Sequence, residues 1–281
     1  MKVDNEPAYL APSLEAPRPK IALVLSGGGI RGFAHIGVIK VLEANGIRPD
    51  LIIGSSAGAI IGTLYASGMT ARELELASER MDMSLASDVA MPSLGIPWLR
   101  GELGVIRGEK LQQFVNTEVK QRAIEHFPIR FGAVATNLQS GKPITFNVGN
   151  AGLAARASSS IPGLFTPPLI RDHRYVDGQL TCPVPVAAAR ALGAEIVIAV
   201  DVTYPSSHAE MRTPFSVMLQ AFAIGAQQIK EAELMLADVV IHPDMEPVGQ
   251  LTFADRADLI RLGERETHNR LRRILQVIAD R

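Results

Sequence analysis

The sequence predicts a single α/β domain that contains a parallel sheet. Short apolar runs typical of buried strands alternate along the chain with longer segments in which apolar residues recur every three or four positions. The chain has 281 residues, 47% hydrophobic and 20% charged, so it can bury a large core and is neither disordered nor a coiled coil. Its first strand, helix and strand form a βαβ unit, which indicates an α/β fold and not an α+β or all-β one.

The βαβ unit begins at Ile21–Leu25, a run typical of a buried strand, which three consecutive glycines bring to an end. Between Phe33 and Leu42 the apolar residues fit a helical period, and Gly46 suits the C-terminal cap of that helix. A second buried strand is predicted at 51–53. Because a helix connects the two strands, we expect them to be parallel with a right-handed crossover.

The same alternation continues to the C-terminus, without an internal repeat or a second core. Helices are predicted at 59–66, 72–81, 109–122, 151–158, 184–192, 215–236 and 256–278. Strands are predicted at 130–136, 144–147, 174–176, 195–201 and 239–242. Between these elements, 84–104 is rich in glycine and proline, which predicts an irregular excursion on the surface.

The N-terminal segment and the charge limit the compartments and partners that we expect. Residues 1–19 contain four prolines and no apolar period, which predicts a flexible tail before a domain at 20–281. This start lacks the apolar run of a signal peptide, so we expect a cytoplasmic protein. With 28 basic and 29 acidic residues the net charge is -1, so nucleic acid is not an expected partner. Cys182 is the only cysteine and cannot form an internal disulfide.

An uncharged stretch at 51–71 has the length of a membrane span. Its first residues are β-branched, and glycines and serines interrupt the remainder. This pattern favours a buried strand that leads into a buried helix.

A G-x-S-x-G motif lies between that strand and that helix. It consists of Gly54, Ser55, Ser56, Ala57 and Gly58. The motif is typical of a serine nucleophile on a tight turn, where the residues two positions away on either side must be small. Ser56 is therefore the candidate nucleophile, and the following helix would bring its positive end close to developing negative charge. A glycine-rich packing turn without chemistry is the alternative.

A second glycine-rich loop follows the neighbouring strand. It consists of Gly27, Gly28, Gly29, Ile30, Arg31 and Gly32. Because the carboxyl ends of parallel strands share one edge, we expect this loop to lie beside Ser56. Its unshielded amides could then bind the oxyanion that forms when Ser56 attacks a carbonyl carbon. Arg31 either adds positive charge there or is a structural, solvated side chain.

The same glycines match G-x-G-x-x-G, a pattern of dinucleotide-binding folds. Such a site needs an acidic residue at the end of the second strand, whereas Asp50 precedes that strand. A phosphate-binding P-loop also fails, because no Lys followed by Ser or Thr comes after the glycines. A nucleotide- or anion-binding module without catalysis stays open as an alternative function of a different class.

The spacing of residues leaves two candidate bases for Ser56. His242 follows the last predicted strand, and Asp201 could orient it in the Ser, Asp, His order of a carboxylesterase triad. Asp177 lies in a turn before Gly178, where a partly desolvated carboxylate would gain basicity. His35, just beyond the glycine loop, is more typical of a structural histidine.

Taken together, the motifs resemble those of the patatin-like phospholipase family. The resemblance covers about residues 20–270. Its residues are the loop 27–32, His35-Ile36-Gly37-Val38, the motif 54–58, the segment 157–167 and Asp177-Gly178. It implies a three-layer α/β/α fold with a mostly parallel central sheet and the site at the carboxyl edge. It also implies that Ser56 and Asp177 form a catalytic dyad without histidine, and that 27–32 form the oxyanion hole.

The activity that the resemblance implies is hydrolysis of lipid acyl esters, of phospholipase A or lysophospholipase type, through an acyl-enzyme. It implies no cofactor and no metal, and the partner is a lipid ester substrate. Gln179 departs from the family, many members of which have a second glycine after Asp-Gly. We expect the turn to form nevertheless, because Asp177 and Gly178 are present.

Two segments could contact lipid. The first, around 82–104, contains the apolar residues Met81, Met83, Leu85, Met91, Leu94, Ile96, Trp98 and Leu99. These residues either cover the core or form an adaptable acyl pocket or membrane contact. The second is the basic, amphipathic C-terminal helix, for which docking on the sheet is favoured over peripheral binding to the inner membrane face.

Overall fold

The computed structural model describes residues 21–89, 103–203, 213–245 and 252–281. The predicted tail 1–19 and most of the segment 84–104 lie outside these ranges. The strands are β1 (Ile21–Leu25), β2 (Leu51–Ser55), β3 (Gly104–Ile106), β4 (Arg130–Asn137), β5 (Pro143–Phe146), β6 (Gly163–Phe165), β7 (Leu169–Ile170), β8 (His173–Asp177), β9 (Ile196–Val200) and β10 (Val239–Ile241). The helices are α1 (Ala34–Ala44), α2 (Ala57–Ala66), α3 (Ala71–Glu79), α4 (Glu109–Glu118), α5 (Ala151–Ser158), α6 (Val186–Ala191), α7 (Pro214–Leu234) and α8 (Arg256–Ala279).

A sheet of eight strands lies at the centre of the described fold, in the order β10-β9-β1-β2-β4-β8-β7, with β5 paired to β4. The run from β10 to β4 is parallel throughout. Strands β5, β7 and β8 pair in antiparallel fashion. The predicted α/β class with a mostly parallel sheet is therefore confirmed, and the antiparallel strands lie on the side of the sheet away from β10.

Helices cover both faces of this sheet, as a three-layer fold requires. Along β1, Leu23 and Leu25 belong to one buried apolar cluster, which includes residues of α1, α2, α5 and α8. Ala22 and Val24 belong to a second cluster, which includes residues of α6. Because successive side chains of a strand point to opposite faces, each cluster lies on its own side of the sheet.

The C-terminal helix α8 docks against α1 at backbone contact. A Cβ at Gly37 of α1 would overlap the carbonyl oxygen of Ile260, and a Cβ at Gly263 of α8 would overlap the carbonyl oxygen of Ala34. Leu259 of α8 is fully buried in this layer. The apolar face of α8 is thus packed within the domain, which was the favoured interpretation of its amphipathic sequence.

The uncharged stretch 51–71 forms β2 and α2, as predicted. Among the helices of the described ranges, none combines the length and the apolarity needed to cross a bilayer.

Several boundaries differ from the sequence prediction by one to four residues, and three short strands were not predicted. Helix α4 ends at Glu118 and not at residue 122, because Lys120 and Gln121 adopt positive φ angles. Helix α6 begins at Val186 and not at residue 184, because Pro185 is its N-cap. The sequence analysis missed β3, β6 and β7, which have only two or three residues and therefore no detectable period.

Candidate active site

Ser56 occupies a strained turn between β2 and α2. Its φ of 51° and ψ of -120° lie where a residue with a side chain rarely occurs. A Cβ at Gly54 would lie 2.5 Å from the amide nitrogen of Ala59, and a Cβ at Gly58 would lie 2.6 Å from the carbonyl oxygen of Ser26. Both glycines are therefore required by close backbone approach, as the motif predicts.

The side chain of Ser56 meets Asp177, which is distant in sequence. Ser56 Oγ donates a hydrogen bond of 2.7 Å to Oδ2 of Asp177. Asp177 is the last residue of β8 and pairs with Ala135 of β4, the strand beside β2. The two side chains are 6% and 4% exposed, so bulk water has little access to their hydrogen bond.

Burial raises the pKa of the Asp177 carboxyl from 3.8 to about 6, although hydrogen bonds from the Gln179 amide and from Ser56 act in the opposite direction. The amide of Gln179 donates 2.8 Å to Oδ1, which completes the turn expected at Asp177-Gly178. Asp177 is thus a carboxylate at neutral pH, but a more basic one than a solvated aspartate.

We expect Asp177→Asn to stabilise the fold at pH 7.5. The folded chain binds the Asp177 proton more tightly than the unfolded chain, so the free energy of unfolding falls as pH rises from about 4 to 6. A shift from 3.8 to about 6 corresponds to roughly 3 kcal/mol at most. Asparagine carries no charge; its Oδ1 can accept from the Gln179 amide, and its Nδ2 can donate to Ser56 Oγ in place of the bond that Asp177 accepts. Urea unfolding of both proteins at pH 4 and 7.5 measures this, and an equal difference at both values would contradict it.

Ser158 holds the turn in place, and the sequence analysis gave it no role. The amide of Ser56 donates 2.9 Å to Ser158 Oγ, which in turn donates to the carbonyl oxygen of Val134 in β4. Helix α5 therefore fixes the serine turn against the sheet. The serine-rich segment 157–167, quoted only for its resemblance, was the available signal.

The glycine loop lies beside the serine turn. A Cβ at Gly32 would lie 2.6 Å from Cβ of Ala57, the residue after Ser56. Within the described part of the chain, the amides of Gly28 and Gly29 donate to no protein acceptor, so both are available to a ligand. The loop is positioned by Val202, which follows β9: its amide donates 2.9 Å to Ser26 Oγ.

A large cavity of about 390 Å³ opens at Ser56. Gly29 and Ile30 of the loop line it, whereas Arg31 does not. Most of the remaining lining is apolar and includes Ile60, Met81, Met83, Leu85, Ile106, Leu111, Ile161, Leu164, Phe165 and Phe253. An apolar pocket, one of the two interpretations of the segment around 82–104, is therefore present, and Met81, Met83 and Leu85 line it. Residues 90–102 of that segment lie outside the described residues.

His242 does not contact Ser56, although its predicted pairing with Asp201 is present. Nδ1 of His242 donates 2.9 Å to the carbonyl oxygen of Asp201 and lies 3.2 Å from Oδ2 of its carboxylate. Nζ of Lys230, on α7, lies 3.2 Å from the same oxygen. The structure therefore brings together two members of the proposed triad without the serine.

Asp201 and Lys230, which are both buried, form an ion cluster with the exposed His242 instead. Burial opposes ionisation of Asp201, but hydrogen bonds from His242 and Thr203 hold its pKa below the usual value. The hydrogen bond to Asp201 raises the pKa of His242. Lys230 was missed from sequence, although it is the first charge after the uncharged residues 214–229 of α7.

His35 has the structural surroundings predicted for it. Its side chain is fully buried, and Nε2 lies 2.9 Å from the carbonyl oxygen of Ser26. Burial lowers the pKa of this imidazole to about 4, so it is neutral at physiological pH and supports the start of the glycine loop.

The fold and this site define an α/β protein in which a serine and an aspartate meet at the carboxyl edge of a parallel sheet. A family model described as Patatin-like phospholipase matches residues 23–190. The chain belongs to the patatin-like phospholipase family.

Curated relatives agree with this family. An uncharacterized NTE family protein of Mycobacterium tuberculosis is 36% identical over 183 residues, which cover 65% of this chain and 49% of that protein. Patatin-like phospholipase domain-containing protein 6 of Homo sapiens is 33% identical over 185 residues, covering 65% of this chain and 13% of that one. Lysophospholipase nte1 of Aspergillus fumigatus is 32% identical over 188 residues, which cover 65% of this chain and 12% of that protein. The chain spans at most about half the length of these relatives.

Among solved structures, ExoU in its complex with SpcU, from the type III secretion system of Pseudomonas aeruginosa, has a TM-score of 0.51. The likeness covers 91% of this chain and 53% of that chain at 18% identity. At this identity it shows a shared fold and nothing about activity.

Proposed function

We propose that this protein hydrolyses lipid acyl esters through an acyl-enzyme on Ser56, with Asp177 as the base of a catalytic dyad. The observation that carries the proposal is the 2.7 Å hydrogen bond between Ser56 Oγ and Asp177 Oδ2 at the mouth of the large apolar cavity. The family membership and the name of the relative Lysophospholipase nte1 support lipid esters as the substrate class.

Acylation begins when Asp177 takes the proton of Ser56 as Oγ attacks the ester carbonyl carbon. The tetrahedral intermediate then collapses, its bond to the alcohol oxygen breaks, and the proton passes from Asp177 to that oxygen. In the second half, water gives a proton to Asp177 as its oxygen attacks the acyl carbon. The bond from that carbon to Ser56 Oγ then breaks, the fatty acid leaves, and Asp177 returns the proton to Oγ.

The free amides of Gly28 and Gly29 suit the oxyanion of both intermediates. Backbone donors that are already oriented stabilise developing charge without reorganisation, and losing one such donor typically costs about 10²-fold or more in kcat. Ser56's own amide is bonded to Ser158, so it is not assigned to the oxyanion hole.

The test of the proposed function is hydrolysis of p-nitrophenyl esters with acyl chains of two to sixteen carbons. We expect kcat/KM to rise as the chain fills the large cavity, because each buried methylene contributes up to about 0.8 kcal/mol of apolar transfer energy. Preference for the acetyl ester would contradict lipid esters, and no turnover of any ester by folded protein would favour the anion-binding alternative.

The pH dependence of kcat/KM is expected to follow Asp177. Only the carboxylate can accept the serine proton, so activity falls as pH drops through about 6 and levels off above pH 7. Measurement between pH 4.5 and 8.5 on the wild type and His242→Ala checks this. A midpoint above the ordinary imidazole pKa of 6.5 that disappears in His242→Ala would instead identify His242 as the base, because the hydrogen bond to Asp201 raises its pKa.

A further inference from the structure

A second, small cavity lies on the Asp177 side of the site. It measures about 130 Å³, and the residues that line it include Asp177 and Gln179 but not Ser56. Ile161 lines both this small cavity and the large one, so the two adjoin. The hydrogen-bonded pair Ser56 and Asp177 thus lies between the two cavities. Most of the lining of the small cavity is apolar as well, and its polar residues are Asp177 and Gln179.

The chemistry of ester hydrolysis assigns a different part of the substrate to each space. The acyl carbon bonds to Ser56 Oγ, so the acyl chain extends from the serine into the large apolar cavity. The alcohol oxygen must receive its proton from Asp177, so the alcohol leaves on the side of the carboxylate. Of these two cavities in the described part of the chain, Asp177 lines the small one and not the large one, which makes the small cavity the space for the alcohol.

The small cavity has room for a short alcohol. Its volume of about 130 Å³ is about a third of that of the large cavity. An alcohol of the size of glycerol fits this space, and the two polar residues of the lining can bind its hydroxyl groups.

Gln179 supplies the polar group of this cavity besides the carboxylate. Its side chain packs on the glycine loop, since a Cβ at Gly27 would lie 2.5 Å from Oε1 of Gln179. Its backbone amide is bound to Asp177 Oδ1, which fixes the residue relative to the base. Among the described residues the Gln179 carboxamide has no hydrogen-bond partner, so its donors and acceptor are available to a ligand.

We infer that Gln179 determines specificity for the leaving alcohol: its carboxamide hydrogen-bonds hydroxyl groups of a glycerol-like alcohol held in the small cavity. This inference rests on the proposed function. During acylation the ester bond to the alcohol breaks, the bond from Ser56 Oγ to the acyl carbon forms, and Asp177 passes the serine proton to the alcohol oxygen. Gln179 binds the alcohol's other hydroxyl groups and takes no part in proton transfer.

The test compares 1-lauroylglycerol with propyl laurate, which share the acyl chain and the three-carbon skeleton of the alcohol. Both are presented at the same mole fraction in neutral detergent micelles. We expect wild type to favour the glycerol ester by about 10-fold or more in kcat/KM, because a site that hydrogen-bonds hydroxyl groups discriminates against an analogue without them. In Gln179→Met, which keeps the side-chain length, we expect the ratio to fall to near 1, because the glycerol ester loses the hydrogen bonds of the carboxamide.

Gln276→Met is the matched control, because it makes the same change at an exposed position of α8 that lines neither cavity, and we expect it to retain the preference. Wild type that hydrolyses both esters with a ratio that Gln179→Met leaves unchanged overturns this inference alone. Wild type that hydrolyses neither ester overturns the proposed function and this inference with it. Circular dichroism confirms that Gln179→Met is folded, and Gln179→Ala provides a second variant.

Discussion

Ser56→Ala and Asp177→Asn are each expected to lower kcat for ester hydrolysis by about 10³-fold or more. Ser56→Ala removes the atom that carries the acyl group, and asparagine cannot take the serine proton, although it preserves the shape of the Asp177 side chain. Because the two residues act as a unit, the double variant should be little worse than either single one. Steady-state kinetics of the three proteins on one long-chain ester measures this.

His242→Ala is the control that separates the dyad from the triad. Its imidazole belongs to the ion cluster with Asp201 and Lys230, so its loss is expected to change kcat less than about 5-fold. Activity that is lost in His242→Ala but retained in Asp177→Asn would refute the dyad and support the triad of Ser56, Asp201 and His242. Circular dichroism of each variant confirms that the comparison is made between folded proteins.

The second large effect concerns the crossing of α1 and α8. Gly37→Ala or Gly263→Ala introduces a methyl group where the partner helix presents backbone and not a flexible side chain. The helices must then move apart, so we expect a loss of about 3 kcal/mol or more in the free energy of unfolding. For a domain of this size that corresponds to a fall of roughly 6–12 °C in Tm.

Gly225→Ala is the matched control for this prediction. Gly225 lies within α7, and a Cβ there meets no atom of the described residues within 4 Å. Alanine should therefore raise helix stability by about 0.5–1 kcal/mol, as expected for a helix interior. If Gly37→Ala and Gly225→Ala changed Tm by the same amount, the close backbone packing of α1 and α8 would not require glycine at position 37.

Most of the fold could be predicted from local sequence patterns. The glycines of the serine turn were predictable because the spacing of G-x-S-x-G reflects a packing requirement within a few residues. The strands β1, β2 and β9 were equally clear, because strands buried on both faces are continuous apolar runs. The pair β3 and β6 could not be predicted, because strands of three residues show no period and their pairing depends on the surrounding structure.

Features of the site that depend on contacts between distant segments could not be predicted from the sequence. The spacing of residues could not decide whether Asp177 or His242 is the base for Ser56, and only the family resemblance favoured Asp177. The contact of Asp177 with Ser56 depends on the register of β8 on β4, which neither strand sequence indicates. Ser158 and Lys230 were missed for the same reason: each binds a group more than 20 residues away. Gln179 was noticed only as a departure, since nothing local indicates its packing on Gly27.

Covalent labelling tests the central claim most directly. Wild type is treated with a fluorophosphonate that carries a long alkyl chain, and the modified residue is located by peptide mass spectrometry. The account predicts one label per chain, on Ser56, absent in Ser56→Ala, strongly slowed in Asp177→Asn and formed at a normal rate in His242→Ala. Label on another residue, or none on folded wild type, would contradict a serine nucleophile at position 56.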